Sequence, residues 1–566
     1  MKSFKRLFKK YNIDGYIVPK NDEFFNEYIY PSNDRLKYIS NFSGSAGFAI
    51  LLKVKNYLFV DGRYTTQANY QSGSKFKIIT IPKKFPKDVL KFSKKITLGF
   101  DPRLHTEKNL SFLFKSKKID LRPIYTNLVD KIWFNKKNYL TKPFFLLPSK
   151  IVGLSYNQKI HKVKSILLKK KFDYLFVTAP ENIAWLLNIR GHDTSFSPIP
   201  NGRLLISKSG EVNFFTNPLK IKKIKKIFNN RLIANDEKKI EDFLKIIKNK
   251  HILLDILSCS LFFKNLLARK NKVSEKVDPI HHLKAIKNNT EIKNIKKCHI
   301  LDGVALTKFL FWVKKNFNKK KLTEISVQKK LENFRKMNKS YKSPSFDTIS
   351  GSGPNSAIIH YKASMKTNRN LKKGELYLVD SGGQYYFGTT DVTRTISLEN
   401  KSNYIKNIYT NVLKGHIAVS NFKIKKTTNG SHVDYVARKF LNKNGLDYPH
   451  GTGHGVGYFL NVHEGPQSFS KNNKINLKDG MVLSNEPGYY KKGAFGIRIE
   501  NLIYVKSKRF RQLTWVPLDK DLINEKLLSK NEIKWINIYH GKVKKNLLKF
   551  MNFEERKDLV KACLPI

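Results

Sequence analysis

Five side chains in the C-terminal half of the sequence have the types and settings of metal ligands. Asp380 and Asp391 lie in LVDSGGQYYFGTTDVTRT, two short apolar runs joined by a Gly-rich turn, which predicts a β-hairpin carrying both acids. His454 lies in HGTGHGVGYFLNVHEGP, Glu486 in NEPGYY and Glu500 in GIRIEN. Carboxylates with one imidazole suit a hard or borderline divalent ion. Four carboxylates around a single ion oversupply negative charge, so two neighbouring cations sharing bridging carboxylates is the more economical reading. Paired cations of this kind acidify a water enough to attack a carbonyl and stabilise the oxyanion that develops. A lone acid is usually solvated. Here Asp380 follows Leu376, Tyr377, Leu378 and Val379, and Glu500 sits among Ile497, Ile499, Leu502 and Ile503, so both read as buried on strands and in need of a cation or hydrogen-bond partner. The glycines of GTGHGVG also fit a phosphate-cradling loop, but no helix with Lys or Ser/Thr at P-loop spacing follows them.

A chain of 566 residues is too long for one core and predicts about three domains. Upstream of the acids, YIVP at Tyr16, YISNF at Tyr38 and the pair GFAILL and NYLFVDGRY are followed in the same order by DYLFVTAP at Asp173, IAWLLNI at Ile183, and RLLIS and EVNFF around Lys208-Ser209-Gly210. The pairs read as hairpins, and the shared plan predicts a duplicated α/β domain. The stretch KPFFLLPSK and the region around Pro279 are the candidate linkers, giving divisions at 1–149, 150–283 and 284–566. A long helix is expected after the second linker, capped by Asn289 or Thr290, with Ile292, Ile295, Cys298, Leu301 and Ala305 on one face. His281 and His282 fall outside that pattern, as linker residues with no ligand role. FDTISGSGPNSAIIHYKAS is a Gly/Ser/Pro-rich loop leading to His360, and NEIKWINIYHGKVKKNLLKF predicts an amphipathic helix with Trp535, Ile538 and Tyr539 on a packing or dimer face.

Hydrophobic content of 40% with 12% aromatics is ample for packed cores and excludes a disordered polymer. A net charge of +64 raises nucleic acid or an anionic surface as partners. Only 17 of the 108 basic side chains are Arg, however, and the Lys is dispersed along the chain beside abundant Asn and Ile, as an AT-rich coding sequence would produce. Specific nucleic-acid binding is not expected. Cys259, Cys298 and Cys563 lack CxxC spacing and read as reduced thiols. The basic N-terminus lacks the apolar run of roughly 7–15 residues of a secretory signal, and no stretch nears the ~20 apolar residues that span a bilayer. A cytoplasmic protein without membrane contact is expected.

The ordered set VDSGG, TDVTRT, HGTGHGVG, VHEGP, NEPGYY and GIRIEN resembles the pita-bread metallopeptidases, most closely the three-domain Xaa-Pro aminopeptidase family, across essentially the whole chain. The resemblance implies an α/β (α+β) chain, with two creatinase-like N-terminal α/β domains followed by a pita-bread catalytic domain and a C-terminal extension. It implies two divalent ions on Asp380, Asp391, His454, Glu486 and Glu500. Mn²⁺ suits such a carboxylate-rich set, although the affinity order favours later metals. Substrates would be peptides with proline in the second position, and the assembly a homodimer. By the same resemblance His463 sits near the scissile nitrogen, His360 near the substrate carbonyl, and His450 lines the pocket on the leaving side. Histidine titrates in the range useful for proton traffic. Tyr490 and Arg498 match positions that support the site, and Arg63 of VDGRYTTQ matches one that reaches the peptide from the N-terminal domain. A prolidase restricted to dipeptides is the nearest alternative, disfavoured by the two N-terminal domains and the C-terminal extension. A creatine-amidinohydrolase-like enzyme works without metal, and an inactive chaperone or binding module would lose ligands. All five ligands are present here.

Overall fold

The repeated pattern of the N-terminal half is realised as two six-stranded sheets with one strand order. The first contains β1 (Gly15–Pro19), β2 (Phe48–Leu52), β3 (Asn56–Asp61), β4 (Lys77–Ile81), β5 (Ile96–Phe100) and β6 (Ile119–Pro123), arranged β4-β3-β2-β1-β5-β6. The second contains β7 (Tyr174–Val177), β8 (Arg203–Ser207), β9 (Val212–Thr216), β10 (Leu232–Asp236), β11 (His251–Asp255) and β12 (Lys272–Lys276), arranged β10-β9-β8-β7-β11-β12. In each sheet the predicted hairpin, β2 with β3 and β8 with β9, is antiparallel, and the outer pairs are parallel. Strand β1 shows why these runs are apolar throughout: Tyr16 and Val18 enter one core and Ile17 the core on the opposite face. The runs YISNF and IAWLLNI, whose state their short apolar pattern leaves open, fall mostly in the helices Arg35–Ser40 and Pro180–Leu187.

The computed structural model describes residues 2–90, 95–136, 142–228 and 232–566. It forms two compact units, Met1–Pro148 with Leu154–His281, and Ser149–Gly153 with His282–Ile566. His281 is no passive linker residue. It lies in a helix, Pro279–Ala285, with its Nε2 3.4 Å from the Asp255 carboxylate. The long helix of the second unit runs Asn289–Asn316, and its cap is Asn288 rather than Asn289 or Thr290, because Glu291 closes a capping box back onto Asn288. Ile295, Cys298 and Ala305 are buried on its inner face, which continues through Leu306, Phe309 and Val313.

One buried ion pair ties this helix to the strand that carries Asp380. Arg335 donates to Asp302 at 2.8 and 3.1 Å and to the Ser381 hydroxyl at 3.1 Å, and the Tyr385 hydroxyl donates to the same carboxylate at 2.8 Å. Replacing Arg335 by Met strands the Asp302 carboxylate in the core and is expected to cost about 3–5 kcal/mol, read as a lower denaturation midpoint. Adding Asp302→Leu should recover most of that loss. A single-variant loss below about 1 kcal/mol, the size of a solvated pair, would remove this pair as an anchor.

The helix predicted around Trp535 spans Lys530–Leu547, ahead of a last helix at Phe553–Ala562, and buries Ile536, Tyr539, Val543 and Leu547, while Ile538 is 48% exposed. The predicted face was therefore turned by part of a residue step. Trp535 stacks on Tyr539 with centroids 5.3 Å apart.

Candidate metal centre

Strand alternation places Asp380. In Leu376–Ser381, Tyr377 and Val379 pack into the core of the long helix, which leaves Leu378 and Asp380 on the opposite face. Ile497 and Ile499 are fully buried in a second core, with Arg498 between them at the end of the strand Phe495–Arg498; Glu500, expected on a strand, lies instead in the break before the strand Asn501–Lys506. The strand Leu376–Ser381 pairs antiparallel with Val392–Ser397, with Asp380 opposite Thr393. The hairpin expected from the sequence is thus present, but its connection carries two further short strands, Gly383–Tyr385 and Gly388–Thr389, and Asp391 stands just ahead of the returning strand. His454 is centred in Gly453–Gly455. A Cβ on Gly453 would lie 2.0 Å from the Ser484 carbonyl oxygen, and one on Gly455 would lie 2.1 Å from that of Glu464. These glycines admit neighbouring backbone beside His454, and no phosphate-loop role is needed to explain them.

One ligand atom from each of Asp391, His454 and Glu500 can be chosen so that all lie within 4.8 Å of one another. The His454 Nε2 is 3.4 Å from Asp391 and 3.5 Å from Glu486. Its Nδ1 is 2.9 Å from the Gly455 carbonyl oxygen. Asp380 accepts from Arg498 at 2.6 Å through Oδ2, and its buried Oδ1 has no hydrogen-bond partner. Glu486 accepts from Ser484 at 3.0 Å and Glu500 from Thr393 at 2.8 Å.

The electrostatics describe a cluster short of positive charge. Burial raises the Asp380 carboxyl, and Asp391 and Glu486 add to this against the opposing Arg498, so that it reaches about 7. Burial likewise raises Glu486 and Glu500, the latter helped by the charges of Asp391, Glu486 and Asp380. Burial alone would lower the His454 imidazole, but Asp391 and Glu486 outweigh it and push it up to about 9. Four converging carboxylates, one orphaned buried oxygen and one imidazole fit a divalent-cation site.

Around this centre, the His463 ring meets that of His454 edge-on, with centroids 4.3 Å apart. His450 lies 2.9 Å from the Tyr490 hydroxyl, which accepts from Arg498 at 2.6 Å, so His450, Tyr490, Arg498 and Asp380 form one connected line. His360 is half-buried at the end of the predicted loop, which is tied to the strand carrying Arg498 by a 2.7 Å bond from the Gly496 amide to the Ser356 hydroxyl. Arg63 belongs to the other compact unit, where Asp61 holds its guanidinium at 2.7 Å.

The similarity of the chain to known proteins is extensive. Residues 293–507 match metallopeptidase family M24, 506–566 the C-terminal region of peptidase_M24, and 1–123 and 135–291 each a creatinase/prolidase N-terminal domain. Xaa-Pro aminopeptidase 1 of Dictyostelium discoideum is 38% identical over 97% of this chain and 92% of its own length. The chain belongs to the Xaa-Pro aminopeptidases of metallopeptidase family M24. A solved structure of the X-prolyl aminopeptidase from Caenorhabditis elegans, described as a cytosolic enzyme with a di-nuclear active site, aligns with a TM-score of 0.92 at 32% identity, covering 98% of this chain and 95% of that one. The prolidase of Pyrococcus horikoshii aligns with only 64% of this chain, at a TM-score of 0.54 and 27% identity. The fold is thus mixed α/β, with creatinase-like N-terminal domains and an M24 metallopeptidase domain.

Three supports of this aminopeptidase site escaped the sequence reading. Arg394 of TDVTRT is buried and donates to the Glu500 carbonyl oxygen at 2.6 Å, to the Asn501 side-chain oxygen at 2.8 Å and to the Tyr539 hydroxyl at 2.9 Å. Glu324 accepts from the Ser352 amide and the Tyr361 hydroxyl, each at 2.8 Å, and from the Asn355 side chain at 3.1 Å, which pins the loop on both sides of His360. Glu464, the residue after His463, is buried against Lys287, with Lys284 at 3.7 Å. The motif blocks contained Arg394 and Glu464, yet nothing in their spacing pointed to partners so far along the chain.

Proposed function

We infer that the chain hydrolyses the N-terminal Xaa-Pro bond of peptides as a metal-dependent aminopeptidase. The convergence of Asp391, His454 and Glu500 beside Asp380 and Glu486, in a chain aligned almost end to end with Xaa-Pro aminopeptidases, carries this reading. The five side chains would hold two divalent cations, with Mn²⁺ proposed as the native pair on the carboxylate-rich donor set. Bound cations of this kind supply an acidified water and a counter-charge for the oxyanion.

The chain's own residues do the rest. His463, beside His454, contacts the scissile nitrogen and delivers a proton to it as the bond breaks. His360 holds the substrate carbonyl, and His450, oriented by Tyr490, lines the pocket for the leaving side. Arg498 opposes the rise of the Asp380 carboxyl and holds Tyr490 in place, and Arg63 reaches the peptide from the N-terminal part. An Xaa-Pro bond is a tertiary amide lacking N–H, so a site that makes no demand on that proton accepts what general aminopeptidases handle poorly. The divisions 1–149, 150–283 and 284–566, a homodimeric assembly and a cytoplasmic location belong to the same proposal.

Purified protein with Mn²⁺, offered Arg-Pro-Pro and Arg-Ala-Ala with products read by mass, should release Arg from the first alone. Cleavage of the dipeptide Arg-Pro with Arg-Pro-Pro left intact would make it a prolidase, and no cleavage of either would favour a binding module. No helix of the described residues is long and apolar enough to cross a membrane. The +64 charge calls for its own test. Binding to duplex DNA is expected to be weak and to vanish between low and physiological salt, as unspecific phosphate contacts do. Sequence-discriminating binding at physiological salt would restore nucleic acid as a partner.

A further inference from the structure

His463, assigned to the scissile nitrogen, is exposed and stands in a bend ahead of the strand Glu464–Phe469. Its neighbours in the chain, Val462 and Glu464, are both buried. Where the ring points is therefore set by how the chain is held on either side of it. The apolar packing of Val462 is non-directional and cannot aim it. Hydrogen bonds and charge can, and the segment 460–464 has them at both ends.

At the first end, Leu460 is gripped by both of its backbone polar groups. The Gln384 side-chain amide donates to its carbonyl oxygen at 2.7 Å, and its own amide donates to the Thr389 hydroxyl at 3.3 Å. That hydroxyl donates in turn to the Gln384 Oε1 at 2.8 Å, which closes the ring. Gln384, Thr389 and Leu460 are all buried, where such bonds are stronger than in water. Just ahead, Phe459 has a φ of 49°, in the left-handed region that bulky side chains rarely adopt. A residue held there persists only where its surroundings over-determine it, and the grip on Leu460 does so. Gln384 and Thr389 face each other across the short strands Gly383–Tyr385 and Gly388–Thr389, which lie between Asp380 and Asp391 in the chain. Strand pairing needs only their backbone; their polar side chains find their use on Leu460.

At the other end, the Glu464 carboxylate is paired with Lys287 and lies 3.7 Å from Lys284, and none of the three side chains is more than 2% exposed. Lys287 is itself fixed, since its amide donates to the Gly480 carbonyl oxygen at 2.9 Å and its ammonium to that of Lys284 at 3.0 Å. Buried charge is costly to keep, and here it sits one residue after the histidine. His463 thus stands three residues past one clamp and one residue before the other. The insert that separates two ligand aspartates supplies the first clamp, so the cation frame and the proton donor share a support.

We propose that Gln384 with Thr389, and Lys287 with Glu464, are positioning residues that aim His463 at the scissile nitrogen, an inference that rests on His463 being the proton donor. Gln384→Met and Lys287→Met, one for each clamp, are to be compared with the unsubstituted protein on Arg-Pro-Pro with Mn²⁺. Each should keep both ions and a KM within about twofold, while kcat falls roughly 10-fold to 100-fold, the scale of a misplacement of about 1 Å. In a His463→Ala background either substitution should cost less than about twofold more, because the group being aimed is gone; independent faults would multiply. If either variant does not fold, Thr389→Val and Glu464→Gln break the same two clamps. Full kcat in a folded variant at either clamp, a loss that multiplies with that of His463→Ala, or a loss of bound ion would overturn the proposal while leaving the reading of the site intact. An unsubstituted protein that fails to cut, or His463→Ala at full rate, would end that reading and the proposal with it.

Discussion

Metal-free protein, prepared with a chelator, is expected to leave Arg-Pro-Pro uncut and to regain its full rate when Mn²⁺ is returned. The reason lies in the cluster itself. Asp380, Asp391, Glu486 and Glu500 converge against the positive charge of Arg498 and His454, and the Asp380 Oδ1 is buried without a partner. The same cluster sets a pH dependence for the metal-free form. A carboxyl raised in the folded state binds a proton that the unfolded chain has released, so its stabilising effect is lost as pH rises from the ordinary carboxylate range of about 4 toward the folded value of about 7 for Asp380. His454, raised to about 9, has the same sign, since its contribution fades as pH climbs through that value. The melting temperature of the metal-free protein should therefore fall between pH 5 and pH 8. Ions that displace those protons should flatten or reverse the trend, and free ion at a hundredfold excess over its Kd should add about 2.7 kcal/mol. Full activity in metal-free protein would end the two-cation reading. A metal-free melting temperature that rises over this range would contradict the charge account of the cluster.

His463→Ala and Glu486→Ala should both be nearly dead, for different reasons that metal analysis separates. Glu486 is assigned to hold a cation, so Glu486→Ala should lose bound ion together with activity. His463 touches His454 by its ring but is assigned to the reacting peptide bond. His463→Ala should keep both ions and the fold and lose roughly 100-fold to 10,000-fold in kcat/KM, the range of a missing proton-transfer group. If His463→Ala sheds an ion while Glu486→Ala keeps both, the ligand assignment is wrong.

Asp380 and Glu500 were legible because each interrupts an apolar pattern where an unpaired charge would be costly, and strand alternation turns Asp380 away from its core. The duplicated sheets were legible through their repeated hairpins. What stayed hidden depends on partners distant in sequence. Glu324 reads as an ordinary acid near a helix start, and only the folded chain brings Tyr361 to it across 37 positions. Lys287 reads as one of many dispersed lysines, although it neutralises Glu464 across 177 positions. The helical state of YISNF and IAWLLNI was hidden for a local reason, their shortness.

Arg394 gives the far end of the chain a say in the chemistry. Its guanidinium grips the backbone of Glu500 and, on the other side, the hydroxyl of Tyr539. Tyr539 in turn is clasped by the stacked ring of Trp535. Anyone trimming this protein for crystallisation is therefore handling a brace of the reaction centre. Cuts made before the helix Lys530–Leu547 would take away the strut that steadies Glu500 from behind.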